Sequence, residues 1–372
     1  MAERVDVVVV GGGPAGLASA IALKTAGLDR VRVLERFRPP IDKACGEGLM
    51  PDGAEVLRQL GVAVERLRAF PFRGIRYVDG PVLVEGTFPR GTGLGIRRPV
   101  LHQALIDRAL EVGVELAWHT RVEALEGDRL ETSAGAITAR WIIAADGLGS
   151  RLRSWAGLGG PAQPAAERRF GVRRHFQVEP WTDLVEVHWH DAGEAYVTPV
   201  APDEVGVALL WRGGPSRFDR MLPCFPALAE RLAGAEPVSK DRGAGPLLQK
   251  VRRVTRGRLA LVGDASGYVD AITGEGMSLA FHQARALAEA IAAGDLARYE
   301  RAHRRIGRLP DALTRLVLAL ERRPRLRRRA IAALAAEPEL FSRLLGVHSR
   351  SLPLSHVGLP GAARLAWRLA TG

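Results

Sequence analysis

The segment from Val5 to Gly16 constrains this chain more than any other. Val5-Asp6-Val7-Val8-Val9-Val10 is β-branched and almost continuously apolar, the pattern of a parallel strand covered on both faces. Gly11-Gly12-Gly13-Pro14-Ala15-Gly16 follows without a gap, Leu17 to Ala26 reads as helix, and a short strand from Val31 to Leu34 ends on Glu35. Strand, G-x-G-x-x-G, helix, strand and acid in that order make a dinucleotide-binding unit. Gly11 allows the tight turn, Gly13 lets the backbone approach a pyrophosphate, and Gly16 lets helix and strand pack closely. Pro14 and Ala15 open a helix whose N-terminal N–H groups and positive dipole end face the phosphates. Glu35, followed by Arg36, stands where a carboxylate accepts from a ribose hydroxyl. A glycine turn in an unrelated α/β sheet would not explain Glu35. The unit alone does not choose between NAD and FAD.

Two further segments bear on that choice. Trp141-Ile142-Ile143-Ala144-Ala145-Asp146-Gly147 runs a strand into a turn, followed by Ser150, Arg151 and Arg153. A second strand, within 257–262, ends in Gly263-Asp264, and Thr273-Gly274-Glu275-Gly276 then opens an apolar-periodic helix beginning at Met277. Asp264 at a strand end can accept from ribityl hydroxyls. Gly274 and Gly276 bring a helix N-terminus close to a planar ring, where its dipole stabilises negative charge on a reduced flavin.

The three motifs, at 11–16, 146–153 and 263–276, resemble the flavoprotein superfamily of aromatic-ring hydroxylases and geranylgeranyl reductases in order and spacing. The resemblance covers about the first 295 residues. It implies an α/β (overall α+β) fold, a Rossmann-like FAD-binding domain interleaved with an antiparallel-sheet substrate domain. The first would take residues 1–75, 96–155 and 246–295, the second 76–95 and 156–245, leaving 296–372 as a basic helical region. FAD would be bound extended, with Glu35 on the adenosine ribose, Asp146 near the pyrophosphate and Asp264 on the ribityl chain. Gly147, Gly263, Glu275 and Met277 belong to the same implied set. Arg98, in Arg98-Pro99-Val100-Leu101, looks like the family's Arg-x-x-Leu arginine that contacts the cofactor. The other reading of Arg98 is a surface arginine at a helix start.

Gly-Asp-Ala-Ser-Gly followed by Gly-Glu-Gly is closer to the geranylgeranyl-reductase-like branch than to the hydroxylases. Lys43-Ala44-Cys45-Gly46-Glu47-Gly48-Leu49 is similar to that branch's segment carrying a cysteine near the flavin. Physically, Gly46 and Gly48 make a loop able to lie against a flat ligand. The Cys45 thiol can donate a proton if its pKa suits the task; a small packed cysteine is the equal alternative. Cys224, between Pro223 and Phe225, reads as packing. Halogenases of the superfamily carry Trp-x-Trp-x-Ile-Pro and a catalytic lysine. That pattern is absent, and the lysines are Lys24, Lys43, Lys240 and Lys250. No second dinucleotide fingerprint occurs, so electrons would come from NAD(P)H docking transiently or from a separate reductase.

The formal net charge of +12 is not spread over the chain. Residues 301–372 hold 15 Arg against four acids, so the remainder carries only +1. A nucleic-acid footprint across the fold is therefore not expected. Two cysteines give no disulfide framework and no metal-ligand spacing. The apolar run before Gly11 is too short for a signal-peptide core and no long uncharged apolar stretch occurs, so a cytoplasmic setting is expected.

Alternating segments between 169 and 211 predict an antiparallel sheet forming a wall over the flavin. His188 and His190 share one strand face, with His175 placed on a neighbouring strand as a surface pair rather than a metal site. Tyr196 and Trp211 read as packing or pocket lining. Beyond 295 the chain reads helical, broken at Pro310, Pro324, Pro338, Pro353 and Pro360. Arg322–Arg329 precedes a weakly charged stretch, Ala330–Leu345, which would suit an amphipathic helix on an anionic membrane; an arginine-rich cap on the fold is the other reading.

The leading expectation is an FAD-dependent oxidoreductase on a small hydrophobic substrate, passing hydride through flavin N5. The alternatives are a single-component monooxygenase acting on an aromatic or polyketide-like molecule, and a non-catalytic flavin-binding, membrane- or partner-docking protein.

Overall fold

The computed structural model describes residues 3–358. The valine run lies in the strand Glu3–Val10, paired in parallel with Gly135–Ala144 on one side and Val31–Leu34 on the other. Leu259–Leu261 and Glu115–Ala117 extend this sheet outward, also in parallel. Val7, Val8 and Val9 have no exposed surface, which is why the strand needs no polar alternation. The helix Pro14–Thr25 makes the first crossover and packs against the helices Arg98–Glu111 and Gly276–Ala292.

A second sheet runs Glu236–Pro237, Arg169–Gln177, Glu204–Arg212, Gly193–Ala201, Leu184–His190, Gly74–Asp79, Val82–Thr87. The four strands read from alternation between 169 and 211 are all present. Antiparallel pairing is not complete, because Leu184–His190 runs parallel to Gly74–Asp79. These two strands belong to separate excursions from the first sheet, so no hairpin forces them antiparallel.

The histidine expectation is overturned by strand order. Glu204–Arg212 and Gly193–Ala201 lie between the strands of His175 and His188. His175 is fully buried and meets Glu47, whereas His188 bonds Glu186 on its own strand at 3.1 Å.

The tail differs from its sequence pattern in two ways. Pro310 does not break a helix; it lies buried inside Leu296–Glu321. Pro324 and Pro338 begin the helices Pro324–Ala335 and Pro338–His348, where a missing N–H costs nothing. Pro360 lies outside the described residues. Ala330–Leu345 is therefore two helices rather than one amphipathic helix, and Ile331, Phe341 and Leu345 pack inward with Ile75 and Val84 of the second sheet. Arg327 is also buried. Its Nε donates to Asp79 Oδ2 at 2.7 Å and its Nη2 to Asp191 Oδ1 at 3.2 Å. This pair bolts the tail to the Gly74–Asp79 strand.

Removing one partner of such a pair strands a buried charge. Arg327→Ala should destabilise the protein by about 3–5 kcal/mol. Adding Asp79→Asn should recover part of that loss in thermal or urea denaturation.

Candidate active site

One cavity of about 800 Å³ runs from the glycine turn to the underside of the tail helices. At its polar end the helix Pro14–Thr25 presents Gly13, Pro14 and Ala15, with Arg36 and Arg98 beside them. An added Cβ at Gly13 would face open space, with Arg98 Nη2 nearest at 3.8 Å. Gly11 and Gly16 are hidden behind this surface. Gly11 has φ +110°, and an added Cβ on Gly16 would stand 1.9 Å from the Gly11 carbonyl oxygen. Their role is contact between helix and strand, which sets where the helix N-terminus points.

Asp146 and Gly147 line the same end. The Asp146 carboxylate is already engaged, accepting from Ser150 Oγ at 2.6 Å and from the Arg151 N–H at 2.8 Å. It therefore accepts from free N–H groups at the start of the helix Arg151–Trp155 and holds the turn at the cavity wall. Gly263 and Asp264 lie opposite. The Gly263 N–H is held by Gln283 Oε1 at 2.8 Å, and His303 Nε2 reaches Ser266 Oγ at 2.8 Å behind it. The Asp264 carboxyl meets no hydrogen-bond donor among the described residues. Burial pushes its pKa up, against the pull of Arg98 and Lys43.

Further along, Cys45 and Gly46 face Gly274, Gly276 and Met277 across the cavity. Burial pushes the Cys45 thiol up, so it stays protonated at neutral pH. The Glu47 N–H donates to Cys45 Sγ at 3.4 Å. Beyond this point the walls become apolar. Phe72, Val185 and Val187 come from the sheets, and Leu313, Val317 and Phe341 from the tail.

Besides Gly11 and Gly16, two residues assigned to the cofactor, Glu35 and Glu275, do not line the cavity. Glu35 lies just behind it, buried, with one oxygen accepting from the Gly12 N–H at 2.8 Å and the other from the Phe37 N–H at 3.0 Å. An ionised carboxylate has about four acceptor sites, so capacity for a ribose hydroxyl remains. Glu275 is buried with its Oε2 3.4 Å from Nδ1 of His348, a tail residue that does line the cavity.

Sequence reasoning missed a buried group behind Cys45. The Glu47 carboxylate accepts from the Arg98 N–H at 2.8 Å and contacts His175 Nε2, while Arg173 lies 3.8 Å away and also bonds Asp42. Glu47 takes φ +59° to do this. Its only sequence signal was its position between Gly46 and Gly48. Lys43 and Tyr268 were missed as well; both line the cavity, and burial with Arg98 nearby lowers the Lys43 pKa. Tyr196 lines the cavity and donates to the Ile272 carbonyl, whereas Trp211 is buried elsewhere and donates to the Gly214 carbonyl at 2.7 Å.

Residues 4–224 match a family described as the FAD binding domain. The chain belongs to this family. It is 31% identical over 297 residues to digeranylgeranylglycerophospholipid reductase 2 of Methanopyrus kandleri, covering 73% of each chain. It is 29% identical over 326 residues to para-nitrophenol 4-monooxygenase of a Pseudomonas strain, covering 78% of this chain and 79% of the relative. A solved flavoprotein/dehydrogenase from Cytophaga hutchinsonii superposes with a TM-score of 0.83 at 21% identity, over 99% of this chain and 98% of that one. The flavoprotein is thus an FAD-dependent oxidoreductase, related to the geranylgeranyl reductases and the aromatic-ring hydroxylases. No helix among the described residues is long and apolar enough to cross a membrane.

The cavity suits FAD on its own terms. Arg98 Nε is buried without a partner, the Asp264 carboxyl is undonated, and a Cβ at Gly46, Gly147 or Gly149 would meet nothing within 4 Å. Asp264 would hold the ribityl chain, and Arg98 with the Pro14 helix end the phosphates. A hydrogen bond to a charged group contributes roughly 1.5–3 kcal/mol. Asp264→Ala should therefore weaken FAD binding about 10- to 150-fold, read by fluorescence titration of the apoprotein.

His303 supplies a pH signature for the same turn. Burial holds its pKa at about 4, below the ordinary 6.5. The unfolded chain then takes the proton first, so the stability is present above about pH 6.5 and is lost as pH falls through 4. Up to about 3 kcal/mol should disappear over that window. His303→Gln should flatten the slope in melting curves recorded across it.

Proposed function

We propose that this flavoprotein reduces a carbon–carbon double bond in a hydrophobic, isoprenoid-like molecule. The supporting observation is the apolar chamber that opens from the Cys45–Met277 end of the cavity, walled by the second sheet and by Phe72 of the strand Ala69–Phe72, and roofed by the tail. FAD bound there would supply a hydride from N5 to one carbon of the double bond. On this reading Cys45, which lines the cavity, supplies the proton to the other carbon. Its raised pKa keeps the proton on sulfur until transfer, and the Glu47 N–H steadies the thiolate left behind. An external donor, NAD(P)H or a separate reductase, would return two electrons to the flavin, and solvent a proton to the thiolate.

The chamber excludes water through the same residues that would bind substrate. Phe72 and Val185 approach from the sheet side and Val317 and Phe341 from the roof, so apolar burial is the main source of binding in the chamber. The reductase relative, at 31% identity, supports this reading; the monooxygenase relative, at 29%, supports oxygen transfer at the same site.

Anaerobic single turnover separates them. The protein is reduced without oxygen and mixed with a polyprenyl alcohol or diphosphate. Re-oxidation of the flavin with a product that has gained two hydrogens is expected. No re-oxidation until oxygen is admitted, with a product that has gained one oxygen atom, would replace this reading with the monooxygenase. Cys45→Ala should slow the reductive step about 100-fold or more while retaining FAD.

A further inference from the structure

Part of the tail's excess charge lies on the helix that lines the chamber. The helix Leu296–Glu321 has three faces. Tyr299, Pro310 and Thr314 are buried against the body. Leu313, Leu316, Val317 and Leu320 line the chamber. On the remaining face Arg304, Arg308 and Arg315 recur at helical spacing, exposed, with Arg305 beside them and Arg323 in the turn that follows the helix. None of these five arginines has an ion pair within 4 Å among the described residues. Asp311 is the one acid on that face; Glu300 and Glu321 are engaged with Thr255 and with Arg169 and Arg212.

Two leucines mark where the chamber opens. Leu316 and Leu354 line it, yet remain 57% and 62% exposed. Few large apolar side chains of the described residues are so exposed, and among those few only these two line the chamber. Burying them and neutralising the arginines calls for a partner that is anionic at its surface and apolar just beneath. A nucleic acid or an acidic protein would satisfy the arginines and leave the leucines in water.

We propose that this face docks on an anionic phospholipid bilayer, with the arginines among the headgroups and the Leu316–Leu354 rim at the acyl boundary. Docked so, the chamber opens toward the bilayer and an apolar molecule can enter without crossing water. The amphipathic helix expected from Ala330–Leu345 is not the contact, since its apolar residues are buried inward. The proposal goes beyond the reaction, because it needs only an apolar ligand, whether reduced or oxygenated.

The test is sedimentation of the full-length FAD-loaded protein with phosphatidylcholine vesicles, with or without about 30% phosphatidylglycerol. Binding to the anionic vesicles alone is expected, weakening as salt rises. Each basic side chain at an anionic leaflet changes binding roughly five-fold. Arg304→Gln, Arg308→Gln and Arg315→Gln together should then cost about 100-fold, with FAD absorbance and melting temperature unchanged. Leu316→Ser with Leu354→Ser should lower binding several-fold further at high salt. No binding to anionic vesicles would overturn the proposal, and so would binding indifferent to the arginines. An arginine effect without a leucine effect, or equal retention of a DNA duplex, would mark a general polyanion surface and overturn it too.

Discussion

The site depends on how closely the backbone crosses itself between Gly11 and Gly16. The Gly16 Cα lies so near the Gly11 carbonyl that even a methyl group would push the helix off the strand. Gly11 in turn leaves no room beside the Ala145 carbonyl, which fixes the turn carrying Asp146. One crowded point therefore sets the glycine turn and the Asp146 turn, both at the cavity's polar end, relative to each other. The Glu35 carboxylate adds a third by tying the Gly12 and Phe37 N–H groups together. No interaction elsewhere can substitute for this, because backbone atoms have no rotamers with which to yield.

A different kind of constraint joins the first sheet's glycine end to the second sheet. Glu47 sits under the Cys45 loop and meets Arg98 from one sheet's helix and His175 from the other sheet. Burying a carboxylate is costly unless its oxygens are matched, and here both are. The loop is thus clamped at its base while Gly46 and Cys45 face the cavity. Thr198 Oγ1 donates to the Gly46 carbonyl at 2.8 Å, so the second sheet holds the loop's crest as well. The thiol that the proposed chemistry uses is positioned by both domains at once.

These two constraints were not equally legible in the sequence. The glycine turn was, because its demands are local and glycine spacing writes them directly. The Gly263-Asp264 end and the 169–211 strands were legible for the same reason. Glu47 was not, since nothing within a window of ten residues shows that His175 and Arg173 will come to it. Glu275 misled, because its place in Gly-Glu-Gly suggested the ring while its carboxylate lies beside His348. The tail misled for a related reason. Its periodicity announced helices with an apolar side, but periodicity does not say which body that side will meet, and here it was the protein's own second sheet.

The tail's role follows from where its charges divide. Arg327 is drawn inward because Asp79 and Asp191 stand beneath it, and Glu321 is drawn inward to Arg169. Arg169 also pairs with Asp270 and Glu194, and Asp270 accepts from the Ile272 N–H at 3.1 Å, in the loop that lines the ring end of the cavity. Burial raises Glu194 to about 7, so this cluster, three carboxylates to the two guanidiniums of Arg169 and Arg212, keeps a proton near neutrality. The helix over the chamber and the loop under the ring are therefore parts of one buried electrostatic unit. A roof fastened this way cannot lift without uncovering charge, so an apolar substrate is better served by the open rim at Leu316 and Leu354 than by removal of the roof.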